Sequence, residues 1–361
     1  MLKLKSEILK DMVAKAVKGA SNNKLIPLTS MLTIEAKDNQ LRLITTDATL
    51  YLVITEKNIP VEDFYVTVQA EQFAKLIAKL TCAEISLEVT DNFLIVKGGN
   101  GTYKVDICLD EMGNVVKFPT PFTEVNVAKK ITIPTSTLKL IINSCVPAVA
   151  VTFEEPCYTG VYFGDSILAT DTQKICSVDK KLFDDENLLI SADSIKLMDI
   201  VNSDNVDISL CEDGTVIVSD DVVTIYTPQL AGIDDYQVAS IMPLLEQEFS
   251  ASCKISRSEF ITLLDRIMLF VGVYDNGGIE LTFTENGLQV SSKQSNGVEL
   301  LKYTEAPKLE EEFKCMIDVR MLLEQLKAQN SDIVELFIGN ETAIKLTDGQ
   351  VTQLIALLVE A

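Results

Sequence analysis

Histidine is absent from all 361 residues. Its absence removes the commonest general base, the usual metal ligand and the standard partner of a Ser or Cys nucleophile. Carboxylate and lysine chemistry stay open, so the enzyme classes are narrowed and not closed. The cysteines at 82, 108, 145, 157, 176, 211, 253 and 315 are scattered, with no C-x-x-C pair among them. The paired ligand spacing of a structural zinc site is therefore missing. No apolar run approaches the roughly 20 residues needed to span a bilayer. Met1-Leu2-Lys3-Leu4-Lys5 leads into an amphipathic pattern and not into the apolar core of a signal peptide. The expectation is a cytoplasmic protein whose thiols act as small buried hydrophobes. Positive charge is also scarce, 31 Lys and Arg against 53 Asp and Glu, a net of −22. Taken whole, such a surface repels nucleic acid, so any DNA-binding reading must find where cations concentrate.

What is present is repetition. A chain of this length suggests two or three domains at about 100–150 residues each. Three segments carry one helical stripe, apolar at i, i+3, i+4 and i+7: Leu9, Met12, Val13, Ala16; Leu138, Ile141, Ile142, Cys145; Phe260, Leu263, Leu264, Ile267. Ser6, Thr135 and Ser256 stand ahead of them as candidate N-caps. A second helix recurs through Phe73, Leu76, Ile77, Leu80, through Ile195, Met198, Val201 and through Val319, Leu322, Leu323, Leu326. After each comes a strand, a polar turn and a strand: 85–89 and 93–96, 206–210 and 216–218, 333–338 and 343–346. Between the helices sits a hairpin: Leu32–Ile34 to Leu41–Leu43, Val161–Phe163 to Ile167-Leu168, and Ile279–Leu281 to Leu288–Val290. Thr46-Asp47, Thr170-Asp171 and Ser292-Lys293 follow these hairpins in register. Recurrence of all three features at nearly constant offsets predicts a triplicated α+β domain, each copy with two helices packed on antiparallel sheets. Connectors at Phe118-Pro119-Thr120-Pro121 and around Met242-Pro243 set the copies at 1–121, 128–245 and 249–361.

The scarce cations are unevenly placed. Helical segments 1–18, 70–81, 135–146, 192–202, 256–269 and 318–329 hold 13 Lys and Arg against 9 Asp and Glu. The rest of the chain is strongly acidic. Lysine on solvated helix faces is one explanation. A basic helical surface on an acidic body is the other, and it would steer DNA to that face. No base-reading motif accompanies it, so such binding would be to phosphates and independent of sequence.

Short motifs in order complete the pattern: Leu25-Ile26-Pro27-Leu28 with the Leu41–Asp47 hairpin, Pro156-Cys157-Tyr158-Thr159-Gly160-Val161, Ala169-Thr170-Asp171, and Gly232-Ile233-Asp234-Asp235-Tyr236 with Ile241-Met242-Pro243. Over nearly its whole length the chain resembles the β subunit of bacterial DNA polymerase III, the sliding clamp, and is identified as a divergent member of that family. The resemblance implies the DNA-clamp fold and a head-to-tail homodimeric ring, helices inside and sheets outside. It further implies a processivity factor with no catalytic, cofactor or metal site of its own. Its partners would be duplex DNA, a polymerase catalytic subunit and a clamp loader, with no membrane. Lys10, Lys15, Lys24, Lys75, Lys79, Lys139 and Lys196 are the candidates to face phosphates. The family's peptide-binding pocket, carried over by position, would involve Thr170, Thr172, Gln173, Lys174, Ile175, Met321, Leu357, Leu358 and Val359. Subunit contacts would involve Tyr103 and Val105 on one side and Phe270 and Val271 on the other.

Departures are local. The family usually has Gly or Ser and then His-Arg where this chain has Thr172-Gln173-Lys174; its connector Pro is Asp234; a basic residue common before Pro156 is Glu155; and its tail, commonly Pro-containing with a terminal Arg, is here Leu358-Val359-Glu360-Ala361. A clamp-fold interaction or decoy protein of phage or mobile-element origin is the alternative. An enzyme is disfavoured. Asp220-Asp221 and Asp234-Asp235 read as solvated turns with no converging third ligand. Gly98-Gly99-Asn100-Gly101 lacks the Gly-Lys-Ser/Thr ending of a phosphate cradle and reads as a hairpin turn.

Overall fold

The computed structural model describes residues 2–60, 62–119, 125–152, 154–272 and 277–359. The described residues include the α-helices α1 (Ser6–Ala16), α2 (Ala70–Lys79), α3 (Thr135–Cys145), α4 (Ala192–Leu197), α5 (Val238–Leu245), α6 (Arg257–Ile267) and α7 (Val319–Ala328). One order of elements runs three times: strand, helix, four strands, helix, three strands, with a short extra strand Tyr303–Glu305 in the third copy. Every residue of the three predicted stripes on α1, α3 and α6 is buried. Burial of an aliphatic or aromatic side chain contributes about 1.5–3 kcal/mol, so the periodicity marks where each core is anchored.

The repeat extends to single hydrogen bonds. The first N–H of α1, α3 and α6 donates to the carbonyl before a neighbouring strand: Ser6 to Ala83, Thr135 to Asp204 and Arg257 to Asp332, each at 2.9 Å. This contact corrects the expected caps. Ser6 and Thr135 are the first residues of their helices, and their hydroxyls are buried without a partner. Only Ser256 caps, accepting from the Glu259 N–H at 3.5 Å. The chain enters each helix straight from a strand, so a backbone carbonyl meets a donor that a side chain would otherwise serve. For the same reason residues 2–5 are a strand paired with 84–87 and not the first turn of a helix. A second correction concerns the connector around Met242-Pro243, which is α5, with Pro243 inside it and Ile241 and Leu245 buried. Thr120 and Pro121 of the first connector lie outside the described residues.

The chain forms two compact units, 1–138 with 193–229 and 139–192 with 230–361. The first holds a four-stranded antiparallel sheet in the order 2–5, 84–89, 93–98, 101–106. Its second sheet runs 64–69, 31–37, 40–46, 51–57, 223–228, 215–219, 205–211, 127–134. Here the first and second copies join edge to edge, Tyr51–Ile54 pairing with Val223–Tyr226. The helices α1 and α2 pack together, burying Leu9, Met12, Val13, Phe73 and Ile77. The second unit repeats the device. A nine-stranded sheet joins the second and third copies where Lys174–Val178 pairs with Val351–Ile355. Its four-stranded sheet runs 298–301, 287–292, 278–284, 313–318, and α6 and α7 close its core over Phe260, Leu264, Phe283, Ile317 and Leu326. Among the described residues no helix is long and apolar enough to cross a membrane.

Candidate functional site

The predicted phosphate-facing lysines divide into two groups. Lys15 on α1 bonds Asp11 at 2.7 Å, Lys75 on α2 bonds Glu71, and Lys196 on α4 bonds Asp193 at 3.2 Å. The Glu71 carboxyl is held below its ordinary value by the hydrogen bond and charge of Lys75. Lys10, Lys24, Lys79 and Lys139 have no ion pair among the described residues. Lys24 and Lys79 are exposed, and Lys10 and Lys139 half-buried. A lysine already compensated within its own helix offers less to a phosphate, so the second group carries the available charge. The pairing was readable from sequence, because acids three or four positions from a lysine on a helix meet it.

The predicted pocket residues come together in the second unit, in two roles. Thr170, Lys174 and Ile175 are buried. The Thr170 hydroxyl donates to the Lys174 carbonyl at 2.7 Å, and Ile175 packs among Tyr158, Tyr162, Tyr236 and Leu354. The Lys174 ammonium is held by Glu324 of α7 at 3.1 Å and Asp171 at 3.5 Å. These three side chains are held inside the fold and present little to a ligand. Thr172 and Gln173 are exposed on the turn between, and Thr172 has φ +75°, a conformation β-branched residues rarely adopt. Met321 is half-buried on α7 against the core. The tail runs alongside: the Ala356 N–H donates to the Gln173 carbonyl and the Leu358 N–H to that of Met316, both at 2.8 Å. A cavity of about 570 Å³ opens beside it, lined by Leu357, Leu358 and Val359 with Phe313, Cys315 and Met316 among others. The strand 313–318 wall was not anticipated.

The predicted subunit-contact residues lie at or near sheet edges. Tyr103 is 41% exposed on the edge strand 101–106, whereas Val105 on the same strand is 2% exposed and turns into the core. A side-chain role for Val105 in assembly is therefore replaced by a packing role. Phe270 is 51% exposed, and Val271 is half-buried against the core. The element missed is the edge strand Val298–Leu301, which shows Val298 and Leu300 to solvent at 51% and 57%. Gly297 lies so close to Phe270 that an added Cβ would come within 2.8 Å of its ring. Superposing the repeats would have found this strand. Strands 51–57, 174–178 and 298–301 hold the same place in their copies. The first joins the last strand of copy two and the second that of copy three. Only 298–301 and the last strand of copy one, 101–106, lack that partner among the described residues.

This thrice-repeated architecture is the sliding-clamp fold. Over its full length the chain matches the DNA polymerase sliding clamp from Bacillus subtilis, with a TM-score of 0.85 at 20% identity over 100% of this chain and 99% of that one. It also matches DNA polymerase III subunit beta from Borrelia burgdorferi, at 0.87 and 18% identity, again over 100% and 99%. In sequence it is 23% identical to the Beta sliding clamp of Bacillus subtilis over 93% of each chain. More particularly, residues 1–111 match the family model of the DNA polymerase III beta subunit, N-terminal domain, and that segment belongs to this family. The resemblance drawn from the short motifs is borne out.

Proposed function

We propose that the chain is a DNA sliding clamp. Two copies, each of three domains at 1–121, 128–245 and 249–361, close head to tail into a ring around duplex DNA. The ring tethers a polymerase catalytic subunit through the tail groove, is opened by a clamp loader, and has no chemistry of its own. The observation that carries this reading is the pair of unmatched edges. Twice within the chain a third hairpin strand joins the last strand of the following copy, and the rule leaves 298–301 to seek 101–106 of a second chain. Exposed edges of this kind are templates for pairing, and a head-to-tail interface closes when the rotation allows. Lys10, Lys24, Lys79 and Lys139 would give the weak, sequence-independent attraction that permits sliding.

The test is topological. Protein is threaded onto linear duplex, both ends are capped with streptavidin, and the salt is raised to about 0.5 M, where phosphate contacts are screened. A ring stays on the capped DNA and leaves when the duplex is cut. Retention that ignores cutting would refute encirclement. A second reading, a clamp-fold interaction protein without a replicative role, draws on the self-neutralised Lys15, Lys75 and Lys196. It expects a dimer that is not retained on the capped duplex.

A further inference from the structure

The groove beside the tail has an apolar floor and an acidic rim. Phe313, Met316, Leu357 and Leu358 are half-buried along it, and Glu280 and Glu341 stand in its wall. The exposed run Glu310-Glu311-Glu312 leads directly into Phe313. The Glu280 carboxylate accepts a hydrogen bond from the Thr282 hydroxyl at 3.3 Å, and none of these five acids has an ion pair among the described residues. Lys314 is the basic residue of the lining. On the neighbouring turn, Lys174 is consumed by Glu324 and Asp171 and is 7% exposed. Burial, with Glu280 beside it, pushes the Cys315 thiol up to about 12, so it lines the groove as a neutral, apolar group.

We infer that this groove selects a short extended peptide joining bulky apolar side chains to lysine or arginine, and rejects acidic peptides of the same apolar content. The inference rests on the reading of the tail groove as the partner site and assigns the chemistry of its occupant. Apolar side chains would supply the burial, and unpaired carboxylates at the rim would set the sign of the charge that is accepted.

The test uses the full-length protein and three fluorescein-labelled peptides with one Leu/Phe core, flanked by lysine, serine or glutamate, read by fluorescence anisotropy. The lysine peptide is expected to bind about tenfold or more tighter than the glutamate peptide at low salt, with the gap narrowing at high salt. Glu280→Gln with Glu341→Gln is expected to remove most of that preference. Asp184→Asn with Asp185→Asn, on an exposed loop elsewhere in the same unit, controls for the general negative charge and is expected to retain it. Equal binding of the lysine and glutamate peptides, or a preference unchanged by Glu280→Gln with Glu341→Gln, overturns the inference while leaving the groove as a partner site. Binding of any peptide that Leu358→Asp does not weaken, or no binding at all, removes the partner site itself and the inference with it.

Discussion

Replacing Thr172 with glycine is expected to stabilise the protein, although it deletes a side chain. The turn that holds Thr172 is built three times: Thr46-Asp47-Ala48, Thr170-Asp171-Thr172 and Thr347-Asp348-Gly349. In each, the threonine hydroxyl donates to the carbonyl four residues on, at Leu50, Lys174 or Val351. In each, the aspartate carboxylate accepts the N–H groups two and three residues on. The third residue is left-handed, at φ +83°, +75° and +89°. An L-residue there costs roughly 1–2 kcal/mol, and glycine returns about 0.4–1 kcal/mol of that through its freer unfolded chain. Thr172→Gly and Ala48→Gly should therefore each gain about 0.5–1 kcal/mol, with the β-branched position gaining more. Gly349→Ala should lose a similar amount for a purely conformational reason, because a Cβ there meets nothing within 4 Å. Urea unfolding followed by circular dichroism measures all three. The reasoning fails if Gly349→Ala is neutral, or if both glycine substitutions leave the midpoint unchanged or lower it.

Asp348 gathers four N–H donors, from Asn330, Ser331, Gln350 and Val351. Burial pushes its carboxyl up, but those donors outweigh it and hold it below the usual range. Asp348→Ala should cost about 1–2 kcal/mol, discounted for partial exposure. The folded value is depressed, so this contribution is complete above the unfolded value of about 3.9 and fades as pH falls through the folded value. The gap between wild type and variant in denaturant titrations should close below about pH 4. Val105→Asp is expected to unfold the first unit, whereas Tyr103→Asp should leave it folded and weaken assembly, as thermal melts and sedimentation would separate. Charge reversal at Lys10, Lys24, Lys79 and Lys139 together should lower loading onto DNA at low salt more than reversal at Lys15, Lys75 and Lys196, read by gel shift.

Much of the fold was legible because the register itself repeats, and the stripes on α1, α3 and α6 name their own buried faces. The failures have physical causes. Ser6 and Thr135 looked like caps because a propensity does not reveal that a strand's carbonyl occupies the donor first. Pro243 looked like a breaker, yet α5 accommodates it within its last turn, where its own N–H bond is the one lost. The strand Val298–Leu301 was hidden because Ser292-Lys293 replaces the Thr-Asp of the other copies and a longer loop follows. Of the candidate pocket residues, Leu357, Leu358 and Val359 line the cavity, whereas Thr170, Lys174 and Ile175 are buried. Alternation puts Tyr103 and Val105 on one face of their strand, so the pattern alone does not foretell that Tyr103 is exposed and Val105 buried, and only the ion pair to Glu324 reveals that Lys174 is unavailable.

The most direct measurement of the central claim is the mass in solution, by light scattering at micromolar concentration, beside a Leu300→Asp variant at the open edge. The account expects twice the 39.8 kDa of one chain for the wild type and one chain for the variant. A wild-type monomer, or a dimer indifferent to Leu300→Asp, would contradict the closure of 298–301 on 101–106.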